Sequence, residues 1–275
     1  MDAESSRSAW PLPFLAKGAS SELFGMGDRQ VLKLFHDSVS EEMIAREMAA
    51  SVHAGACGVP TAAALARDDR AGRRGIRYPR LDGVTLAEWI RQNPMRAGGL
   101  IDAMAAIQAA IHAKPGGALR TLKSVLSTDI SYGPSPGHVQ VAALAYLESL
   151  PDGDLLTHGD FHVDNIMVTS SGMKVIDWSK AASGHSAADA VRSEMLMRFG
   201  VGPTGPVINL WRDWAAGRFI GRYREAAGAT PDLLSQWRPV VALAWLRARQ
   251  GRRTAAFMRY LNNALQSAGL PRVDS

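Results

Sequence analysis

A single cysteine, Cys57, among 275 residues excludes a disulfide framework and any metal site built from several thiolates. It fits a reducing compartment. No stretch of about 18 uninterrupted apolar residues occurs, so no membrane span is expected. The first residues lack a basic segment followed by an apolar one; no signal peptide is expected, and the expected location is cytoplasmic. G-x-x-x-x-G-K-[ST], H-E-x-x-H and G-x-S-x-G are all missing. Gly25-Met26-Gly27 has no third glycine and sits in hairpin-like sequence, which argues against a dinucleotide fold. The net charge of +5 is not gathered into a Lys/Arg block with interleaved aromatics, so no nucleic-acid partner is expected. Lysine is absent beyond Ala190, where 13 arginines face five acids (Glu194, Asp213, Glu225, Asp232, Asp274).

What is present supports a folded chain. Hydrophobic residues make up 47%, enough for a sizeable core, with disorder expected only at the polar start, Met1 to Ser8. "SELFGMGDRQVLKLF" has two apolar runs around Gly25, Gly27 and Asp28, the composition of a hairpin. A helix follows, with Ser40 as N-cap and one apolar face through Met43, Ile44, Met48 and Val52. "IRYPRLDGVTL" reads as a strand entering a turn. Leu100, Met104, Ile107 and Ile111 mark a core helix, "STDISYGPSPG" a loop, and "HVQVAALAYLESL" another helix. "IMVT" and "MKVID" read as strands joined by Ser170 to Gly172, and the chain after Ala187 as helices broken at "GVGPTGP" and "GATPD". The expected organisation is a small lobe over residues 1–80, a connector near 79–84 and a larger, mostly helical lobe over 81–275.

One stretch concentrates polar residues. In "HGDFHVDNIMVTSSGMKVIDW", His158-x-Asp160 is followed by Asn165 five residues after the aspartate, and by Asp177 twelve residues later. His158 and His162 would need a third or fourth nitrogen or sulfur ligand to hold zinc. The H-x-D-x-x-x-x-N…D order is instead that of kinase-type phosphoryl transfer. Magnesium takes oxygen ligands, which Asn165 and Asp177 supply, and Asp160 can orient an accepting hydroxyl and take its proton. The same chemistry asks for a strand lysine and a glutamate on the next helix, met by Lys33 in "VLKLF" and by Glu47. In "KGASSELF", Gly18 and small hydroxyl residues such as Ser20 could approach phosphate. Turn and cap chemistry is the alternative for the loop residues, and a solvated strand position is the alternative for Lys33.

These motifs resemble the aminoglycoside phosphotransferase and choline kinase-like family of the protein-kinase-like superfamily. "HGDFHVDNIMV", "VIDW", "GHSAAD" and "AIHA" carry the resemblance, with Val163 standing where that family often has proline or glycine and Ser186 where it usually has proline. The resemblance implies an α+β, two-lobed protein-kinase-like fold with a β-rich N-terminal lobe. It implies Asp160 as catalytic base, Asn165 and Asp177 as metal ligands, Lys33 and Glu47 at the phosphates, and Tyr78, Arg80 and Asp82 near the base of the nucleotide. ATP or GTP and Mg2+ are the implied cofactors, with a small-molecule hydroxyl as acceptor and a monomer or homodimer as assembly. His158 and Asp189 read as supports of the loop; His162 and Asp164 either touch the acceptor or are solvated. The arginine excess after Ala190 argues for an acceptor that is not strongly cationic, such as a sugar, a nucleoside-like or an antibiotic-like molecule. A metabolic alcohol or amino-alcohol kinase of the choline or homoserine type is the enzymatic alternative, and a catalytically inactive kinase-like binding module the non-enzymatic one.

Overall fold

The computed structural model describes residues 12–248 and 254–273; the polar start Met1 to Ser8 and Asp274 lie outside them. In chain order the elements are β1 (Phe14–Lys17), β2 (Ser21–Met26), β3 (Gln30–Phe35), α1 (Glu41–Ala56), β4 (Ala66–Arg67), β5 (Gly75–Pro79), β6 (Gly83–Thr85), α2 (Leu86–Gln92), α3 (Ala97–Ile111), α4 (Leu122–Ser131), α5 (Gly137–Ser149), β7 (Leu155–Thr157), β8 (Ile166–Thr169), β9 (Gly172–Val175), β10 (Ala182–Gly184), α6 (Ser186–Phe199), α7 (Pro206–Ala227), α8 (Pro231–Trp245) and α9 (Thr254–Ser267). The chain divides into two compact units. The first takes residues up to Gly83 together with Thr169–Ser179; the second takes Val84–Val168 and everything from Lys180 onward.

The first unit is built on an antiparallel sheet in the order β1-β2-β3-β5-β4. The hairpin between β2 and β3 turns at Asp28 and Arg29, both with φ of 55°, whereas Gly25 lies within β2 and bonds through its N–H to the Pro13 carbonyl at 2.8 Å. Alternation along β3 divides its side chains. Leu32 and Leu34 join Phe24 in one apolar cluster, while Phe35 joins Val39, Ile44 and Ile76 in another. Lys33, opposite Ile76 in register, shares the Phe35 side.

Helix α1 starts at Ser40, whose hydroxyl accepts from the Met43 N–H at 3.2 Å. Its inward face differs from the expected one. Ile44 is buried, but Met43 and Val52 are exposed, and Glu47, Ala50, Ser51 and Ala54 take the remaining buried places. A polar pair sits inside because each has a partner: Ser51 accepts from the Ala64 N–H, and Glu47 meets Lys33.

Residues 169–179 are stitched into this unit through the segment after α1. The Val175 N–H donates to the Pro60 carbonyl at 2.8 Å, and the Thr61 hydroxyl donates to the Val175 carbonyl at 2.6 Å. The buried Trp178 donates its indole N–H to the same hydroxyl at 3.0 Å.

The second unit is helical except for its short strands. Helix α3 packs on α7, α7 on α6, and α8 on α4, α6 and α9. Ile101, Met104, Val191, Phe219, Val240 and Leu261 are among its fully buried side chains. The stretch expected as a loop from Ser127 is helical through Ser131, as the end of α4. Thr121 caps that helix, and Leu122, Leu126 and Ile130 recur on its buried face. Breaks between the last helices fall at the expected glycines and prolines, with Pro206 and Pro231 in first turns and Thr230 capping α8. Trp178, Trp237 and Trp245 are buried, whereas Trp211 and Trp214 are partly exposed.

Candidate active site

In the first unit, period two on β3 and the turn of α1 bring Lys33 against Glu47. The Lys33 Nζ donates to Glu47 Oε1 at 2.6 Å and lies 3.6 Å from Asp177 Oδ1. Lys33 and Glu47 are buried, while the Asp177 side chain keeps 37% of its exposure. Burial alone would push Lys33 down, but the charges of Asp177 and Glu47 more than offset this, hold it above its ordinary value, and keep it an ammonium. The Tyr78 hydroxyl donates to Glu47 Oε1 at 2.9 Å, so this ring braces the glutamate.

Strand β9 ends at Val175, two residues before Asp177, which adopts a φ of 63°. That left-handed backbone is unfavourable for a side chain bearing a Cβ. It is held in place by the bonds from Thr61 to Val175 and Trp178. Arg80 and Asp82 lie at the exposed end of the unit. There Asp82 pairs with Arg29 at 2.5 Å and with Arg80 at 3.5 Å. Gly18 and Ser20 form the turn between β1 and β2, closed by a Gly18 N–H to Ser21 carbonyl bond of 2.8 Å.

The second unit holds the loop after β7. Asp189, fully buried on α6, accepts from the backbone N–H groups of His158 at 2.9 Å and Gly159 at 2.8 Å. It also accepts from His112 Nε2 at 3.0 Å and Gln108 Nε2 at 3.1 Å. Burial pushes its carboxyl up, but these donors prevail and hold it well below the usual carboxylate range. The Tyr223 hydroxyl donates to His112 Nδ1 at 2.7 Å, which adds α7 to the network.

Gly159 has a φ of 75°, and a Cβ there would run into the Lys180 carbonyl, so the residue before Asp160 has to be glycine. The Asp160 N–H donates to His158 Nδ1 at 3.2 Å, and the Asn165 amide donates through Nδ2 to the Asp160 carbonyl at 2.9 Å. That bond leaves the Asn165 oxygen as the end of the amide suited to a hard cation. Lys180 Nζ donates to Asp160 Oδ2 at 2.9 Å, and Arg192 donates to the Gly159 carbonyl. Burial pushes the Asp160 carboxyl up, but the charges of Lys180 and Arg192 outweigh it and leave the group below its ordinary value. His162 caps the short helical turn Val163–Asn165, its Nδ1 accepting from the Asp164 N–H at 3.3 Å.

The structure therefore brings Lys33, Glu47, Tyr78 and Asp177 together in one unit, and Asp160 and Asn165 together in the other. Lys180, Arg192, Gln108 and Tyr223 went unnoticed in the sequence. Lys180 follows Asp177 by three residues, and no periodicity or motif distinguishes it from a surface lysine.

An antiparallel N-terminal sheet with a strand lysine bonded to a helix glutamate, followed by a larger helical part, defines a protein-kinase-like fold. The chain belongs to the phosphotransferase enzyme family, whose family model matches residues 12–240. It is thus an enzyme, a kinase of the small-molecule type. Among curated protein sequences none matches.

Solved structures similar to the chain include a thermostable mutant of aminoglycoside phosphotransferase APH(4)-Ia in ternary complex with AMP-PNP and hygromycin B. The two are 17% identical over 94% of this chain and 92% of that one, with a TM-score of 0.61. Amicoumacin kinase hAmiN, in complex with AMP-PNP, Ca2+ and Ami, is 15% identical over 93% and 88%, with a TM-score of 0.61. Choline kinase from Cryptosporidium parvum Iowa II is 10% identical over 96% and 90%, with a TM-score of 0.58. Among the described residues, no helix is long and apolar enough to cross a membrane.

Proposed function

We propose that the chain transfers the terminal phosphate of ATP or GTP to a hydroxyl of a small, not strongly cationic molecule, a sugar, nucleoside-like or antibiotic-like acceptor. The observation that carries this reading is the buried Lys33 ammonium held between Glu47 and Asp177. In this reading Lys33 meets the nucleotide phosphates, with Glu47 and Tyr78 as its braces. The turn at Gly18 and Ser20 approaches the phosphates through its backbone, and Arg80 and Asp82 lie toward the base. Asp160 orients the acceptor hydroxyl and takes its proton, held in position by Asn165 below and Lys180 beside it.

Magnesium fits the donor set, a carboxylate oxygen of Asp177 and the amide oxygen of Asn165, and would supply neutralisation of phosphate charge. AMP-PNP and a divalent cation in the similar structures support this assignment of cofactors.

Charge supports the acceptor class. Lys180 and Arg192 stand beside Asp160. Of the acids after Ala190, Glu194 is bound by Arg198 and Arg238, Asp213 by Arg198, and Glu225 by Arg222. A polycation would have few carboxylates left to meet it.

The experiment is a panel of hydroxylated acceptors with magnesium-ATP and magnesium-GTP, read as nucleoside diphosphate release. Neutral and anionic hydroxyl compounds are expected to turn over, and homoserine or choline turnover would place the enzyme in amino-alcohol metabolism. Aminoglycosides turning over as fast as the best other acceptor would contradict the charge argument. Failure of every acceptor, with no magnesium-nucleotide binding, would favour the inactive binding module.

A further inference from the structure

Strand β10 pairs antiparallel with β7, Ala182 opposite Thr157. Carried two residues further, that register sets Lys180 opposite Gly159, the residue before Asp160. The approach is close, since the Lys180 carbonyl fills the space that a Cβ on Gly159 would need. The backbone of Lys180 is thereby fixed against the loop. Its side chain stays 46% exposed and reaches Asp160 Oδ2 at 2.9 Å. All of these residues belong to the second unit.

The charges around Asp160 do not balance. Arg192 donates to the Gly159 carbonyl, and its charge also acts on the Asp160 carboxyl. Among the described residues neither Lys180 nor Arg192 is paired with a second carboxylate. Two cations therefore face one carboxylate, whose side chain keeps only 15% of its exposure. A lysine that served only to hold this base would also weaken it, because an ion pair favours the carboxylate over the protonated acid. The surplus positive charge suits an anion that enters with the substrates.

We infer that Lys180 is a further catalytic residue, whose ammonium passes from Asp160 to the phosphoryl group as that group is transferred; this rests on the proposed phosphoryl transfer at Asp160. In that step the acceptor O–H bond breaks and its oxygen bonds to phosphorus. The bond from phosphorus to the bridging oxygen breaks, and the nucleoside diphosphate leaves with that electron pair. The proton goes to Asp160, whose charge is cancelled as the phosphate ester forms. Lys180 loses one anion and gains another, so its attraction for the phosphoryl oxygens grows as the reaction advances, and such growth lowers the barrier. Covalent reach allows this. Three residues of extended chain span at most about 11 Å, so the Cα atoms of Lys180 and Asp177, the proposed metal ligand, are no further apart than that.

Lys180→Met, Lys180→Gln and Lys180→Arg test the inference beside Asp160→Ala, with magnesium-ATP and the best acceptor of the hydroxyl panel, read as nucleoside diphosphate release. Glutamine keeps an N–H donor for Asp160 without the charge, and arginine keeps the charge. In Lys180→Met and Lys180→Gln alike kcat is expected to fall about 10²-fold, with recovery of about tenfold or more in Lys180→Arg. Nucleotide KM is expected to stay within about twofold throughout. Unchanged melting temperatures of the variants check that the fold is kept. Full kcat in Lys180→Met would overturn the inference. Full kcat in Lys180→Gln would overturn it too, by leaving Lys180 only a positioning part. A loss confined to nucleotide KM, or no recovery with arginine, would do the same. Those results leave the transfer at Asp160 standing if Asp160→Ala has lost turnover. An unaltered chain that turns over no acceptor would overturn the transfer itself and the inference with it.

Discussion

Lys33 owes its place to simple alternation. Flanked by Leu32 and Leu34, which face one apolar cluster, it points to the other side of the sheet and finds Glu47 and Asp177 there. The lysine alone carried little in the sequence; it was legible in company with a glutamate on the next helix and the later Asp160, Asn165 and Asp177 spacing. Tyr78 was legible only as a position; its hydroxyl bond to Glu47 depends on register with β3, which no local pattern contains. Lys180 on Asp160 was illegible for the same reason.

Lys33→Met is expected to cut nucleotide turnover by about 10²–10³, since in the proposed reading it removes the buried cation that meets the phosphates; steady-state nucleoside diphosphate release measures it. Tyr78→Phe removes one bond to a carboxylate and is expected to cost about 1–2 kcal/mol in urea unfolding, with turnover reduced less than in Lys33→Met.

Helices were easiest to read where apolar residues recur, and hardest where small polar residues hide the period. The stretch from Ser127 to Ser131 looked like loop because serine, threonine and aspartate favour turns, yet Leu126 and Ile130 lie four apart on the buried face of α4. On α1 the apolar period was half right: Ile44 and Met48 pack on the sheet cluster, but Met43 and Val52 are exposed, and Glu47, Ser51 and small alanines share the inner face. Strand β1 escaped notice because all four of its residues are exposed and its sequence has no alternation to display.

The segment carrying Asp177 hangs on Thr61, whose hydroxyl both donates to the Val175 carbonyl and accepts from Trp178. Thr61→Val is expected to speed hydrogen exchange at the Val175 amide by about tenfold, the equivalent of one lost hydrogen bond, while Ile44 and Ile76 amides in the same unit keep their protection.

Stability of the complete chain depends on a few buried charges. The Asp189 carboxyl is depressed in the folded state, so it contributes stability that is fully present above the ordinary aspartate value of about 4 and is lost as pH falls through the folded value. Urea midpoints are therefore expected to fall on acidification below about pH 4. Asp189→Asn is expected to lose about 3 kcal/mol at neutral pH, because it breaks a buried charge network, and to show a shallower fall in acid.

In the proposed reading, bound magnesium and nucleotide add to stability by mass action. Magnesium-ATP is expected to raise the melting temperature more than ATP with EDTA, and Asp177→Asn to abolish that difference.

The most direct measurement compares Asp160→Ala with the unaltered chain, using magnesium-ATP and the best acceptor of the hydroxyl panel, read as nucleoside diphosphate release. Turnover is expected to fall by about 10²–10⁴, the range for loss of a general base, while the melting shift with magnesium-ATP is kept. Full turnover in Asp160→Ala would contradict phosphoryl transfer at this loop.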